Sequence, residues 1–217
     1  MTERLSIIFG HIPNCEKFAD IGCDHGYVTK AMLDLGKCEF AVASDISDKC
    51  LDKARALIKN EIEEKKAVCI RSNGFLNLPK VDVALISGMG GEEIIGIILG
   101  AKELPKTLVL QPMKNADKLR AVLIKLGYGL SVDYTFKSDG KFYDLIKAEK
   151  CAKPKKLSKK EIKYGKDNLA FLPIAFIEKL NARINVLRAS LDTQKVQRKA
   201  SRKMKKELKE LYRYVKS

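Results

Sequence analysis

Residues that build metal sites are scarce in this chain. It has only two histidines, His11 and His25, and none of its six cysteines forms a C-x-x-C pair. A structural zinc site needs closely spaced Cys and His ligands, so the sequence excludes a zinc module and predicts no bound metal. We expect the cysteines to be free thiols in a reducing cytosol.

Long apolar runs are also absent. No stretch approaches the roughly 20 apolar residues that span a bilayer, and no signal-peptide pattern is present. We therefore expect a cytoplasmic protein with no membrane partner. Apolar residues still make up 46% of the chain, which is enough for a sizeable core.

Acidic residues become scarce in the last third of the chain. The formal net charge is +15. Residues 1–150 hold 22 Lys/Arg and 21 Asp/Glu, whereas residues 151–217 hold 20 Lys/Arg and only 6 Asp/Glu. This split predicts two domains, at 1–152 and 153–217. Concentrated positive charge indicates nucleic-acid binding, although a solvated helical surface would have a similar composition.

Short apolar runs alternate with helical stretches from residue 17 onward. Such runs are typical of parallel strands covered by helices on both faces, so the pattern predicts an α/β fold. One long helix, capped by Ser47, is expected at 47–65. The last two strands are too close together for a helix between them and must form an antiparallel hairpin. The predicted strands are 17–22, 39–45, 67–71, 81–87, 107–111, 131–137 and 141–149.

The basic region has a helical pattern of its own. After a polar linker at 151–158, apolar residues recur at spacings of three and four, first from Phe176 to Leu191 and then from Val196 to Val215. The two stripes predict an antiparallel helical hairpin that reverses near 192–197, because a lone helix would leave its stripe exposed. One continuous helix is the alternative, since no Gly or Pro interrupts 174–217.

The first motif, DIGCDHGY, ends the first predicted strand. A dinucleotide site requires G-x-G-x-x-G to hold a pyrophosphate, but Asp24 stands where the second glycine would be. Carboxylates disfavour an anion and favour the sulfonium and ammonium groups of S-adenosylmethionine. An ordinary strand-to-helix turn is the alternative. The candidate cofactor-binding residues of this motif are Asp20, Gly22, Cys23, Asp24, His25 and Gly26.

Three further motifs follow later strands. Asp45 ends the second strand, where a carboxylate accepts ribose hydroxyls, and Ile46 follows it. Asn73-Gly74 after the third strand is expected to contact adenine or to form a plain turn. Three glycines in five residues after the fourth strand indicate close approach of a ligand to the backbone, and the methyl acceptor is expected there. The candidate cofactor-binding residues of this last motif are Ser87, Gly88 and Met89.

Six segments within residues 1–150 together resemble the bacterial TrmK family: DIGCDHGYV, ASD, RSNG, ISGMGGEEII, LVLQP and KFYDLIKAEK. The resemblance implies a class I (Rossmann-like) methyltransferase fold with a seven-stranded sheet, plus a C-terminal all-α coiled-coil hairpin. It also implies methylation of N1 of adenine 22 in tRNA, with S-adenosylmethionine as the cofactor. Two positions depart from the family pattern. The family tends to have Asp where this chain has Asn73, and a small residue such as Ser where this chain has Cys23.

The chemistry assigns roles to the candidate catalytic residues Asp24, Tyr27 and Met89. Adenine N1 carries a lone pair, so its methylation needs positioning and stabilisation of a cationic product rather than a strong base. Asp24 is expected either to face that charge or to hold the cofactor amino group. Tyr27 is expected to stack on or hydrogen-bond the target base, which must be exposed or flipped first, and Met89 lies on the acceptor rim.

The basic domain is expected to bind tRNA phosphates, and the protein to act as a monomer. A small-molecule methyltransferase is one alternative, but it has no use for the basic domain. A non-catalytic RNA-binding protein is a second, disfavoured by the retained carboxylates, and an NAD-dependent enzyme is a third, disfavoured by the glycine spacing. The candidate RNA-binding residues are Lys153, Lys155, Lys156, Lys159, Lys160, Arg198, Lys199, Arg202 and Lys203.

Overall fold

A seven-stranded sheet forms the centre of the computed structural model, which describes residues 1–192 and 198–215. The strands are β1 (Cys15–Ile21), β2 (Cys38–Asp45), β3 (Ala67–Arg71), β4 (Val83–Met89), β5 (Thr107–Pro112), β6 (Tyr128–Ser138) and β7 (Lys141–Lys150). Their order across the sheet is β3-β2-β1-β4-β5-β7-β6. The first five strands are parallel, and β7 runs antiparallel to β5 and β6. The predicted α/β fold, with a seven-stranded sheet that ends in an antiparallel hairpin, is confirmed.

Helices connect and flank the strands. They are α1 (Glu3–Gly10), α2 (Tyr27–Asp34), α3 (Asp48–Leu57), α4 (Lys59–Glu63), α5 (Gly91–Leu99), α6 (Ala116–Lys125), α7 (Lys159–Tyr164), α8 (Lys166–Phe171), α9 (Ile174–Asp192) and α10 (Arg198–Val215). The predicted cap is confirmed, because the Ser47 hydroxyl accepts a hydrogen bond from the Cys50 amide. The single helix expected at 47–65 is wrong: the fully buried Ile58 leaves helical geometry and separates α3 from α4.

Side chains alternate between the two faces of the sheet. Along β4, Ala84 and Ile86 pack with α5 and α6 on one face, whereas Val83 and Leu85 pack with α1 and α2 on the other. All four are buried, and each large aliphatic side chain contributes about 1.5–3 kcal/mol through burial. Burial on both faces explains why the strands read as continuous apolar runs.

The last two helices pack against each other. Phe176, Leu180 and Ile184 of α9 lie in one apolar cluster with Leu211 of α10. The guanidinium of Arg183 contacts Glu207 at 2.8 Å, whereas one continuous helix would hold these residues about 36 Å apart. This packing agrees with the predicted hairpin and excludes the continuous helix. The predicted reversal at 192–197 falls almost entirely on residues outside the described ranges.

Buried polar contacts join the C-terminal helices to the sheet. Arg120 of α6 and Asp133 of β6 are at most 1% exposed and pair at 2.7 Å. The other Asp133 oxygen accepts a hydrogen bond from the Lys166 amide at 2.9 Å, and Asn168 accepts one from the Thr135 amide at 2.8 Å. Helix α8 is therefore fixed along β6. The division into 1–152 and 153–217 stays a prediction, and these contacts cross it.

Candidate cofactor and acceptor site

The loop after β1 adopts backbone conformations that favour glycine. Gly22 and Gly26 both have φ +73°, and a Cβ added at Gly22 would lie 2.2 Å from Cε of Met89. The amides of Gly22 and Cys23 donate to the Ser44 carbonyl at 2.8 and 3.0 Å. The loop is thus held beside β2, and the absence of a side chain at Gly22 leaves room for Met89 or a ligand.

Asp20 is a buried carboxyl group near the end of β1. It is 4% exposed, and it accepts a hydrogen bond from the Thr29 hydroxyl at 3.2 Å. Burial raises the pKa of Asp20 to about 7; the hydrogen bonds from Thr29 oppose that rise, whereas the nearby charge of Asp45 adds to it. A cation beside Asp20 would favour its ionised form, so the group suits a ligand with an ammonium group.

Asp24, His25 and Tyr27 form a connected group at the rim. One Asp24 oxygen lies 2.8 Å from Nδ1 of His25, and the His25 and Tyr27 rings stack with centroids 5.4 Å apart. Partial burial acts to raise the pKa of Asp24, but hydrogen bonds from His25 and Cys50 outweigh it, helped by Lys53, and hold the pKa below its ordinary value. Asp24 is therefore ionised near neutral pH, and the exposed Tyr27 ring is held next to it.

Asp45 ends β2 with its carboxylate fixed by the backbone. The carboxylate accepts hydrogen bonds from the amides of Ser47 at 2.9 Å and Asp24 at 3.3 Å. The Ile46 side chain, 65% exposed, stands beside it, and Arg71 donates to the Ile46 carbonyl at 3.2 Å. This places an acceptor next to an apolar surface, as a nucleoside requires.

The turn after β3 is closed by a buried hydroxyl group. Ser72 donates to the carbonyls of Gly74 and Leu76. Gly74 has φ +68°, and an added Cβ would lie 2.7 Å from Cγ2 of Ile97 on α5. Asn73 is exposed at the tip of this turn. The turn therefore needs glycine in order to pack against α5, and it presents the Asn73 amide.

The end of β4 differs from its prediction. The strand continues past Ser87 to Met89 with an irregular register between them, so part of the glycine-rich motif is strand. Gly88 has φ +79°. A Cβ added at Gly91 would lie 2.6 Å from the carbonyl oxygens of Lys114 and Asn115, so this glycine lets α5 approach the loop after β5.

Two cavities of about 560 and 540 Å³ open at the carboxyl ends of the parallel strands. Gly22, Asp45 and Met89 line both, so the cavities are compartments of one crevice with Met89 at their boundary. Residues that line only the first include Ile46, Ser72, Asn73, Gly74, Glu93 and Ile97. Residues that line only the second include Thr2, Arg4, Leu5, Asp20, Cys23, Asp24, His25, Tyr27, Ser87 and Gly88.

The candidate residues of the sequence motifs thus converge on one crevice, with one exception. Gly26 lines neither cavity; it is the N-cap residue of α2, and a Cβ there would lie 3.1 Å from Cβ of Ala54. Cys23 is only 8% exposed, and burial raises the pKa of its thiol, which is therefore neutral. Four carboxyl side chains, Asp20, Asp24, Asp45 and Glu93, line the crevice, and the first three belong to the sequence motifs.

The sequence motifs did not include α1 or the inner face of α5. Arg4 and Leu5 line the second cavity, and Ile97 lines the first. The guanidinium of Arg4 donates to Oε1 of the fully buried Gln111. A signal for α1 was present: Thr2 precedes an apolar stretch, and its hydroxyl caps the helix.

Within residues 1–192 and 198–215, no cluster of three His, Cys, Asp or Glu side chains is arranged to hold a metal ion. Over the same part of the chain, no helix has both the length and the apolar composition needed to cross a membrane.

The candidate RNA-binding residues lie on the linker and on two adjacent helices. Helix α7 contacts α10 through Lys163 and Glu210, 2.9 Å apart. Arg198 and Lys199 begin α10, and their side chains lie outside the described part of the structure. Seven candidates are exposed, with no carboxylate within 4 Å among described residues: Lys153, Lys155, Lys156, Lys159, Lys160, Arg202 and Lys203.

Comparisons with known proteins agree with this architecture. A family model described as TrmK, tRNA (adenine(22)-N(1))-methyltransferase, matches residues 18–216. A Mycoplasma genitalium protein is 33% identical over 172 residues, which are 76% of this chain and 77% of that protein. The tRNA (adenine(22)-N(1))-methyltransferase of Bacillus subtilis is 31% identical over 156 residues, 69% of this chain and 65% of that one. The structure of M. capricolum TrmK with S-adenosyl-homocysteine shares the fold, with a TM-score of 0.89 at 21% identity over 100% of this chain and 98% of that chain.

Proposed function

The chain belongs to the TrmK family and is a tRNA (adenine-N1)-methyltransferase, and from this premise we propose that its two-compartment crevice binds S-adenosylmethionine and receives adenine 22 of tRNA. The observation that carries the proposal is the convergence of Asp20, Asp24 and Asp45 on that crevice. The alternatives of a small-molecule methyltransferase and of a non-catalytic RNA-binding protein are set aside, because the matching family acts on tRNA.

The first cavity suits the adenosyl group. Asp45 is placed to accept the ribose hydroxyl groups, and Ile46 to pack against the adenine ring. Asn73 presents an amide for the edge of the base. When bound, S-adenosylmethionine supplies an electrophilic methyl group on a positively charged sulfur. Asp20 and Asp24 line the second cavity, and their negative charges stabilise the positively charged sulfonium and ammonium groups of the cofactor.

The second cavity suits the target base together with the amino-acid end of the cofactor. Adenine N1 attacks with its own lone pair, so no side chain has to remove a proton before methyl transfer. The product base is cationic, and Asp24, held ionised by its neighbours, stabilises that charge. Tyr27 stacks on the adenine, and Met89 separates the base from the adenosyl compartment. These are the roles we assign to the three candidate catalytic residues.

The basic linker and helices bind the body of the tRNA in this proposal. Exposed lysine and arginine side chains with no carboxylate within 4 Å among the described residues are free to neutralise phosphates. Each such contact makes the negative slope of log affinity against log salt steeper by roughly 0.7–0.9. The protein acts as a monomer in the cytoplasm, and light scattering of the purified chain tests the first of these statements.

Calorimetry and mass spectrometry test the catalytic proposal. We expect the folded chain to bind S-adenosylhomocysteine and to place one methyl group on N1 of adenine 22 in a tRNA transcript. A transcript with guanine at position 22 is the matched control and should stay unmodified. Failure of the folded protein to bind S-adenosylhomocysteine, or modification at a different nucleotide, would contradict the proposal.

Substitutions test the RNA-binding residues better than truncation, because removing residues 153–217 would take away the hydrogen bonds that the buried Arg120–Asp133 pair makes with the Ile162 carbonyl and the Lys166 amide. A variant with Arg202 and Lys203 changed to Gln should bind tRNA more weakly, with a shallower salt dependence. The matched control changes Lys59 and Lys65, exposed residues beside β3 at the far edge of the sheet, to Gln. Equal tRNA affinity and equal salt slopes in both variants would refute this role.

A further inference from the structure

Arg4 lies at the wall of the second cavity with its guanidinium held in place. Nη1 donates to Oε1 of Gln111, and Cζ stands 5.7 Å from the centroid of the Tyr143 ring. A Cβ added at Gly88 would lie 3.6 Å from Nη1, so the guanidinium rests beside the backbone at the end of β4. Two side chains therefore fix the orientation of a cation at this wall.

The charge of Arg4 is not neutralised within the described residues. No Asp or Glu of residues 1–192 and 198–215 lies within 4 Å of its guanidinium, and Gln111 is a neutral partner. A guanidinium has five N–H donors, and one of them is used in a hydrogen bond to a described residue. By contrast, the nearby cation Lys53 lies 4.0 Å from an Asp24 oxygen. Arg4 is thus prepared to bind an anion.

The sheet register brings this cation close to the proposed ammonium site. Asp20 of β1 pairs with Leu85 of β4, and Ile21 pairs with Ile86. Gly88, against which the guanidinium rests, therefore follows three residues after the position paired with Asp20, on the neighbouring strand, and both residues line the second cavity. The second cavity opens between them, and Arg4 is the sole lysine or arginine among the described residues that line it.

S-adenosylmethionine carries a carboxylate on the same carbon as its ammonium group. If Asp20 holds the ammonium group, the carboxylate must lie a few ångströms away, in a cavity whose other charges are mostly negative. We infer that Arg4 is a cofactor-binding residue and that its guanidinium binds the α-carboxylate of S-adenosylmethionine. This inference rests on the proposed function. A planar guanidinium matches a carboxylate with two parallel hydrogen bonds, and Gln111 positions it for that geometry.

A ligand that lacks only the carboxylate tests the inference by binding alone. S-adenosyl-3-thiopropylamine retains the adenosyl, sulfur and amine groups of S-adenosylhomocysteine. Calorimetry should show that the wild-type chain prefers S-adenosylhomocysteine by roughly tenfold or more, the range for charge-assisted hydrogen bonds. In Arg4→Met the preference should disappear, because both ligands then bind equally weakly. The control Lys53→Met removes a positive charge nearby and should keep the preference.

Three outcomes would overturn the inference: an undiminished preference in Arg4→Met, loss of the preference in Lys53→Met instead, or a weaker tRNA affinity in Arg4→Met with cofactor preference intact. The last would assign the guanidinium to an RNA phosphate. Thermal unfolding without ligand checks that Arg4→Met is folded. If Arg4→Met is not folded, the variant Arg4→Lys takes its place; it keeps the positive charge but not the parallel N–H donors of the guanidinium. Arg4→Lys must then show a reduced preference for S-adenosylhomocysteine. Failure of the wild-type chain to bind either ligand would refute the proposed function itself.

Discussion

Replacing Arg120 by Met should destabilise the protein strongly, because it leaves a carboxylate buried without its cation. Arg120 and Asp133 are at most 1% exposed. Removing one partner of such a pair costs about 3–5 kcal/mol, and we expect the lower part of that range because the Lys166 amide still donates to Asp133. For a chain of this length, about 3 kcal/mol lowers Tm by roughly 6–12 °C.

The penalty should also depend on pH. Burial already raises the pKa of Asp133, and Arg120 is the main group that opposes this rise. Without Arg120, the pKa in the folded state rises further above the unfolded value, so the folded variant takes up a proton more readily than the unfolded chain. The free energy of unfolding of Arg120→Met should therefore recover as pH falls, and its deficit relative to wild type should be smaller at pH 5.5 than at pH 8.

Calorimetric unfolding curves at the two pH values provide the test. The matched control is Arg183→Met, which breaks a more exposed pair with Glu207 and should cost about 0.2–1 kcal/mol without a comparable pH trend. A loss of Tm in Arg120→Met no larger than in this control would refute the reasoning. So would a deficit that grows as pH falls.

Three further predictions concern cofactor affinity, measured by calorimetry with S-adenosylhomocysteine. Asp45→Asn should weaken binding at least about tenfold, because hydrogen bonds to charged groups contribute about 1.5–3 kcal/mol. The control Asp52→Asn, at an exposed position, should leave the affinity unchanged, and equal affinities of the two variants would contradict the ribose contact. Because burial raises the pKa of Asp20 to about 7, and a cationic ligand favours the ionised form, affinity should rise from pH 6 to pH 8, and a flat profile would count against this role. Gly22→Ala should reduce affinity, whereas Gly140→Ala, with a similar φ of +72° but no neighbour within 4 Å of an added Cβ, should not; equal losses would make backbone strain the cause instead.

The sheet and most of the crevice could be predicted from sequence because local pattern and physics agree there. A parallel strand buried on both faces must be a short apolar run. In β4, Ile86 packs into the apolar cluster on one face of the sheet and Leu85 into the cluster on the other. The carboxyl ends of parallel strands meet at one edge, so the acids at the ends of β1 and β2 had to converge. Asp20 and Asp45 were therefore identifiable without coordinates.

The features that sequence reasoning missed depend on contacts between distant residues. Arg4 reaches the crevice through Gln111, 107 positions away in the chain, and no spacing rule links them. The break at Ile58 follows from tertiary burial of one side chain, which overrides the helical pattern around it. Helices α7 and α8 are six residues each, too short for a periodic signal, and their contacts with α6 and β6 hold them in place.

The position of Met89 has a consequence for the order in which the substrates bind. A thioether side chain has several accessible rotamers, and this one faces both compartments of the crevice. Occupation of the adenosyl compartment restricts those rotamers and so sets the shape offered to the incoming base. We expect cofactor and tRNA binding to be thermodynamically coupled through this one side chain. Because such coupling is reciprocal, the presence of tRNA must change cofactor affinity by the same factor.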